Sequence, residues 1–242
     1  MTLSVRQFAC LTDNYGFLIR DEATGMVATI DTPDAARIEA ELAASGWGRL
    51  DLILNTHWHA DHAGGNAALK AATGAVILGP NEVKRIAPLD CVVGGGETVM
   101  LGETTLKVAA MAGHTLGHLT YRSVEDGVAF VGDVIFALGC GRLFEGTPEQ
   151  MWASLQAIAS WPDETLLYCA HEYSAANARF ALSVDRRPEL AAHAMGIFEA
   201  RERGEPTVPT RVDVEKAFNP FLTSGSVEAF AARRAAKDIF KG

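Results

Sequence analysis

Between Leu52 and Asn66 the chain reads LILNTHWHADHAGGN, which packs His57, His59, Asp61 and His62 into six residues directly after an apolar run. One acidic and three basic-capable side chains are poor core material. They are good ligands, because zinc and its neighbours take imidazole nitrogen and carboxylate oxygen. Three further strand ends carry donors of the same kind: AGHTLGH with His114 and His118, FVGDVIF with Asp133, and LYCAHEY with His171. Taken singly, His114 and His171 read as satisfied buried histidines and Asp133 as a turn cap. Beside the 57–62 cluster they gain a ligand role, whereas His118 keeps a supporting one. A site needs about four or five donors. His57, His59, Asp61, His62, His114, Asp133 and His171 make seven, enough for two sites if one carboxylate bridges.

The elements that must position these residues alternate between strands and helices. MVATIDT, LDLILNT and AVILGP read as short buried strands. Between them, DAARIEAELAASGW has apolar residues at Ile38, Leu42 and Trp47 with Gly46 as a stop, and AGGNAALKAATG is a helix closed by Gly74. ETVMLGETTLKVAAM predicts a hairpin turning at Gly102-Glu103, and LTYRSVEDGVAFVGD a second at Asp126-Gly127. In TPEQMWASLQAIASW, Thr147, Pro148 and Gln150 give an N-cap, a first-turn proline and a capping-box partner. TLLYCAHEY is a last buried strand, and no strand signal follows Ala170. Beyond Tyr173 the pattern is helical, with Pro188 restarting a second helix and SVEAFAARRAAKDIFKG forming a third. The alternation predicts an α/β layered core over residues 1–173 and a helical appendage over 174–242.

Composition narrows the field. At 242 residues and 48% hydrophobic, the chain has the means to bury a sizeable core. Its net charge of -9 argues against a nucleic-acid partner. The four cysteines, Cys10, Cys91, Cys140 and Cys169, form no C-x-x-C pair and read as reduced thiols. No apolar run approaches the roughly 20 residues that span a bilayer, and the N-terminus lacks the basic start and apolar stretch of a leader. A monomer of the cytoplasm, without membrane or nucleic-acid partners, is expected.

These motifs resemble a known family. THWHADH is similar to the T-H-x-H-x-D-H signature of the metallo-β-lactamase superfamily, and GHT, GD and HE follow in that superfamily's order. LTDNYGFLI, HAGGN, GCGRLFEGTPEQM, HEYSAANARFAL, NPFL and RRAAKDIFK further resemble glyoxalase II, the hydroxyacylglutathione hydrolases, across nearly the whole chain. The resemblance implies a four-layered αββα sandwich with a C-terminal helical, glutathione-binding appendage. It implies two divalent ions, zinc by preference with iron or manganese as alternatives. His57, His59 and His114 would hold one ion and Asp61, His62 and His171 the other, with Asp133 between them. The implied reaction is hydrolysis of S-D-lactoylglutathione and other 2-hydroxyacyl-glutathiones to the 2-hydroxy acid and glutathione, a step in methylglyoxal detoxification. A hydroxide bridging the metals would attack the thioester carbonyl, so His57, His59, Asp61 and Asp133 carry the catalytic role. No GxSxG elbow is present, and none is needed. Arg142, Tyr173, Arg234 and Lys237 are implied to hold glutathione, with Phe144 where some relatives have tyrosine. A lactonase or a persulfide dioxygenase of the same superfamily is the alternative, and NPFL with the RRAAKDIFK ending argues against it.

Overall fold

The computed structural model describes residues 2–242. The chain forms two compact units, one running up to Ala110 and including Gly117–Gly132, the other comprising Met111–Leu116 and Asp133–Gly242.

The first unit holds β1 (Leu3–Cys10), β2 (Asn14–Asp21), β3 (Val27–Ile30), α1 (Ala35–Ser45), β4 (Leu52–Leu54), α2 (Ala60–Ala63), α3 (Asn66–Thr73), β5 (Val76–Gly79) and β6 (Cys91–Val92). It continues with β7 (Thr98–Leu101), β8 (Thr104–Ala110), β9 (Leu119–Ser123) and β10 (Val128–Gly132). The first sheet runs β1 to β6 in chain order. It opens as an antiparallel meander, Leu3↔Asp21 to Cys10↔Asn14, and turns parallel from β3 to β4, where α1 makes the crossover. Asp34 caps α1 by accepting from the Arg37 N–H at 3.1 Å, and Gly46 ends it in the left-handed region at φ 71°. Ile38, Leu42 and Leu69 pack on Leu18, Val27, Ile53 and Ile77 and bury the helix-side face of the sheet.

β2 is buried on both faces. Leu18 joins the helix-side core, while Phe17, pointing the other way, meets Phe130 of β10 at 5.7 Å between ring centroids. That pair joins the first sheet to the antiparallel strands β7 to β10. Buried bonds stitch the same seam, from Thr104 Oγ1 to Asp21 Oδ1 (2.7 Å) and from Tyr121 Oη to the Asn55 carbonyl (2.8 Å). Both expected hairpins form, with Gly102 and Gly127 at positive φ in their turns.

The second unit contains β11 (Ile135–Phe136), β12 (Gly139–Cys140), α4 (Pro148–Ala159), β13 (Leu166–Cys169), α5 (Ser174–Val184), α6 (Pro188–Glu202), β14 (Thr210–Arg211), α7 (Val212–Phe218) and α8 (Val227–Ile239). The capping box on α4 is complete, Gln150 N–H to Thr147 Oγ1 at 3.3 Å and Thr147 N–H to Gln150 Oε1 at 2.9 Å. Pro188 opens α6. Leu138, Ala178, Ala181, Leu190 and Ala194 form a small-residue core between α5 and α6.

Three expectations are corrected. A strand does follow Ala170: β14 pairs Thr210 with Leu167 and Arg211 with Leu166, and two residues are too few to show a period. The expected helix of residues 63–74 starts only at Asn66, while Asp61 and His62 lie in the separate one-turn α2. The break falls at Gly64, where a Cβ would meet the Ala60 carbonyl at 2.4 Å. Finally, α7 adds a fourth helix to the expected three after Tyr173.

Candidate metal centre

In the first unit, the loop after β4 and the one-turn α2 present two donor pairs. His57 Nε2 lies 3.0 Å from His59 Nδ1, and His62 Nε2 lies 3.5 Å from Asp61 Oδ2. Two ligands about 2.1 Å from one tetrahedral ion sit about 3.4 Å apart, so both separations suit shared ligation. The far sides of the His57 and His62 rings are committed. Asp31 Oδ2 accepts from His62 Nδ1 at 2.8 Å and from Thr56 Oγ1 at 2.7 Å, and that hydroxyl is 3.0 Å from His57 Nδ1. With Thr56 donating to Asp31, its oxygen takes the His57 Nδ1 proton, which leaves both Nε2 lone pairs for a metal. Asp31 also accepts the Thr56 N–H at 2.7 Å and sits in the left-handed region at φ 59°. That strained backbone turns its carboxylate under the histidines. Asn14 Nδ2 donates to Asp61 Oδ2 at 3.1 Å and aims the carboxylate.

His118 is fully buried and stacks on His57 at 4.7 Å between centroids. Gly132 lets it sit there, since a Cβ would lie 2.7 Å from His118 Nε2 and 2.9 Å from Thr56 Oγ1.

In the second unit, Asp133 follows directly on β10, His114 lies on the 111–116 loop and His171 just beyond β13. The two oxygens of Asp133 face opposite ways: Oδ2 lies 3.4 Å from His114 Nε2, and Oδ1 lies 3.4 Å from His171 Nε2. One carboxylate with an imidazole at each oxygen is the arrangement a bridging ligand requires. His114 Nδ1 donates to the Arg142 carbonyl at 2.9 Å and keeps Nε2 for a metal. The 111–116 loop is pinned by Ser154 Oγ to the Ala112 carbonyl (2.8 Å), Gly146 N–H to the Gly113 carbonyl (3.1 Å) and Leu116 N–H to Glu145 (3.0 Å). Glu172, beside His171, is held by the Thr207 N–H at 2.9 Å and by Ser174 Oγ.

Tyr173 stacks on His171, 4.7 Å between centroids and 2° from parallel. Phe144 is 62% exposed and meets His114 edge-on at 5.3 Å. Arg142 is largely exposed, with Nε 3.7 Å from Asp238. Lys237 donates to the Ala176 carbonyl at 2.9 Å, over the rings of Phe180 and Phe240. Burial, then the charges of Arg234, Arg142 and Arg179, push its pKa down to about 8. Arg234, not Arg233, is the inward arginine: it is 5% exposed and donates to the Cys140 carbonyl (2.8 Å) and to Asp238 (2.9 Å) over the Phe221 ring.

The cysteines stay out of this chemistry. All four are free thiols, and burial raises Cys10 to about 12 and Cys140 to about 11. The oxygen- and nitrogen-only donors form groups suited to a divalent ion. Sequence reasoning missed Asp31, Thr56 and Asn14. Only the aspartate that ends MVATID, before a Thr-Pro turn, hinted at them. No described helix is long and apolar enough to cross a membrane.

Comparison with known proteins adds independent findings. Residues 25–171 match the model of the metallo-β-lactamase superfamily, and residues 172–241 that of the hydroxyacylglutathione hydrolase C-terminus. A hydroxyacylglutathione hydrolase of Erythrobacter litoralis is 50% identical over 98% of this chain and 100% of its own length. One from Maricaulis maris is 54% identical over 91% of this chain and 86% of its own. The crystal structure of ETHE1 from Myxococcus xanthus superposes with a TM-score of 0.76 at 25% identity, covering 98% of this chain and 92% of that one. The layered α/β fold is thus the metallo-β-lactamase fold, with a helical C-terminal region.

Proposed function

We propose that this chain, which belongs to the hydroxyacylglutathione hydrolase family of the metallo-β-lactamase superfamily, hydrolyses S-D-lactoylglutathione and related 2-hydroxyacyl-glutathiones to a 2-hydroxy acid and glutathione. The observation that carries the reading is Asp133, whose two oxygens each face a different histidine. In this proposal His57, His59 and His114 serve one ion, Asp61, His62 and His171 a second, and Asp133 both. Zinc is the preferred ion, and the donor set also suits iron or manganese. Such ions would acidify a water and polarise the thioester carbonyl.

The residues of the chain do the rest. Asp61, aimed by Asn14, accepts a hydrogen bond from the attacking water and holds it in line. The thiolate leaves without prior protonation. Arg142, Lys237 and Tyr173 hold the glutathione moiety, Phe144 adds apolar contact, and Arg234 acts from beneath by tying α8 to the Cys140 carbonyl. The division into a catalytic part, 1–173, and a glutathione-binding part, 174–242, belongs to the same reading. It is supported by the change of family model at residue 172. So does a monomer acting in the cytoplasm on a small thioester. Methylglyoxal detoxification is the setting this activity serves. The C-terminal match and the relatives' names speak for this reading over a lactonase or a dioxygenase.

The test is hydrolysis of a panel of acyl-glutathiones by metal-loaded protein, followed by loss of thioester absorbance, with a lactone and a persulfide as alternatives. Turnover of the lactone or persulfide, with no thioesterase activity on any acyl-glutathione, would sink the reading.

A further inference from the structure

The NPFL motif and α7 have no part in the chemistry above, yet they hold two fully buried polar side chains, Glu215 and Asn219. Both direct hydrogen bonds at one short segment, the turn between β11 and β12. Glu215 Oε2 accepts the Leu138 N–H at 2.9 Å. Asn219 Nδ2 donates to the carbonyls of Gly139 (2.9 Å) and Phe136 (3.3 Å), and to Glu215 Oε2 at 2.8 Å. From α5, Asn177 donates to the Ala137 carbonyl at 3.1 Å. Side chains of the helical region thus bond every residue from Phe136 to Gly139. The turn needs such support, because Leu138 sits at φ 55°, which a leucine adopts only under constraint.

What this turn joins gives the arrangement its consequence. Asp133 lies just before β11 and Arg142 just after β12, and the Arg142 carbonyl takes the His114 Nδ1 proton. Gly141 closes the gap: a Cβ there would meet the Asp133 carbonyl oxygen at 2.0 Å and His114 Nδ1 at 3.0 Å. A shift of the turn moves both ends of this frame together.

Resting on the reading of Asp133 and His114 as metal ligands, we propose that Glu215 and Asn219 are positioning residues for the metal centre. They clamp the β11–β12 turn and thereby set the carboxylate of Asp133 and the imidazole of His114. The helical region then has a role besides holding glutathione. Glutamine at 215 suits this role, because Thr210 Oγ1, 2.6 Å from Glu215 Oε1, is a hydroxyl and accepts as readily as it donates. Burial already pushes Glu215 up to about 7, so its neutral form, which glutamine copies, lies within reach.

The experiment compares Glu215→Leu, Glu215→Gln, Asn177→Ala and Asp133→Ala with Ile158→Ala, a core truncation in α4 that removes none of these bonds. Metal affinity is read by chelator competition on folded protein, with thermal melts and kcat and KM alongside. Glu215→Leu should weaken metal binding by about 10- to 100-fold, as loss of a ligand's support does, and lower kcat far more than KM. Glu215→Gln should restore metal affinity, and Ile158→Ala should lower Tm with metal affinity unchanged. Should Glu215→Leu not fold, Asn177→Ala, which removes one bond, should still weaken metal binding by about 3-fold or more. Parent-like metal affinity in the folded clamp variants would overturn the proposal and leave Glu215 a stability residue. If Asp133→Ala keeps its metal, the ligand reading falls instead. If Asp133→Ala loses metal while Glu215→Leu retains it, only the clamp falls.

Discussion

Lys237 gives the proposed glutathione site a pH dependence of its own. Its ammonium is half-buried, and burial together with Arg234, Arg142 and Arg179 brings its pKa to about 8. Below that pH the group is charged, and in the proposed site it would donate a charge-assisted hydrogen bond to a glutathione carboxylate. Such a bond contributes roughly 1.5–3 kcal/mol, which is about 10- to 100-fold in affinity. As the pH rises through about 8 the free enzyme loses the proton, so kcat/KM should fall towards a plateau about 10- to 100-fold lower. The contact is made equally to substrate and transition state, so the loss should appear in KM with kcat nearly constant. Lys237→Ala should start at the lower plateau and show no such fall. Lys237→Arg, charged throughout, should keep its affinity above pH 8. The measurement is steady-state kinetics on S-D-lactoylglutathione from pH 6.5 to 9.5, taken as the ratio of parent to variant so that titrations at the metal centre cancel. A ratio independent of pH would refute the assignment. So would a fall expressed in kcat.

Other perturbations separate the remaining roles. Metal analysis should find about two ions per chain in the parent. Asp133→Ala should disturb both, whereas a His118 variant should keep two. Asp31→Ala removes the acceptor for His62 Nδ1 and for Thr56 and should lower metal affinity about 10- to 100-fold in chelator competition. Arg234→Ala should raise KM and also lower Tm, since its guanidinium bonds the buried Cys140 carbonyl; a variant with parent-like Tm would show that this bond contributes little.

The sequence revealed the parts of the centre that announce themselves locally and withheld those made by long-range contacts. His57, His59, Asp61 and His62 stand within six residues, and no structural role explains such a cluster, which is what motivates the ligand role proposed for them. The hairpins at Gly102 and Gly127 and the capping box at Thr147 were legible for the same reason, because the signal and the structure lie within a few residues of each other. Asp31 is the opposite case. It stands 31 residues from His62, and its only local mark is the Thr-Pro turn that follows it. Glu215 and Asn219 are further still from the turn they hold, 77 residues in the case of the Glu215–Leu138 bond and 80 for Asn219 to Gly139. Alone, Glu215 is one more acid on a helix, and only the fold shows it fully buried against backbone. In sequence the resemblance implies Arg234 as a glutathione contact, whereas in the fold its guanidinium donates to the Cys140 carbonyl and to Asp238. The difference is physical. Ligands are recognised by what their side chains are, whereas the residues that aim them are recognised by what they touch, and contact at long sequence separation leaves no mark on composition or period. The proposed ligands His57, His62 and His114 cannot be understood in isolation, since in each the bond at Nδ1 decides that Nε2 is kept for a metal. Substitutions at Asp31, Asn14 or Glu215 should therefore be felt at the centre although none of the three is proposed as a ligand.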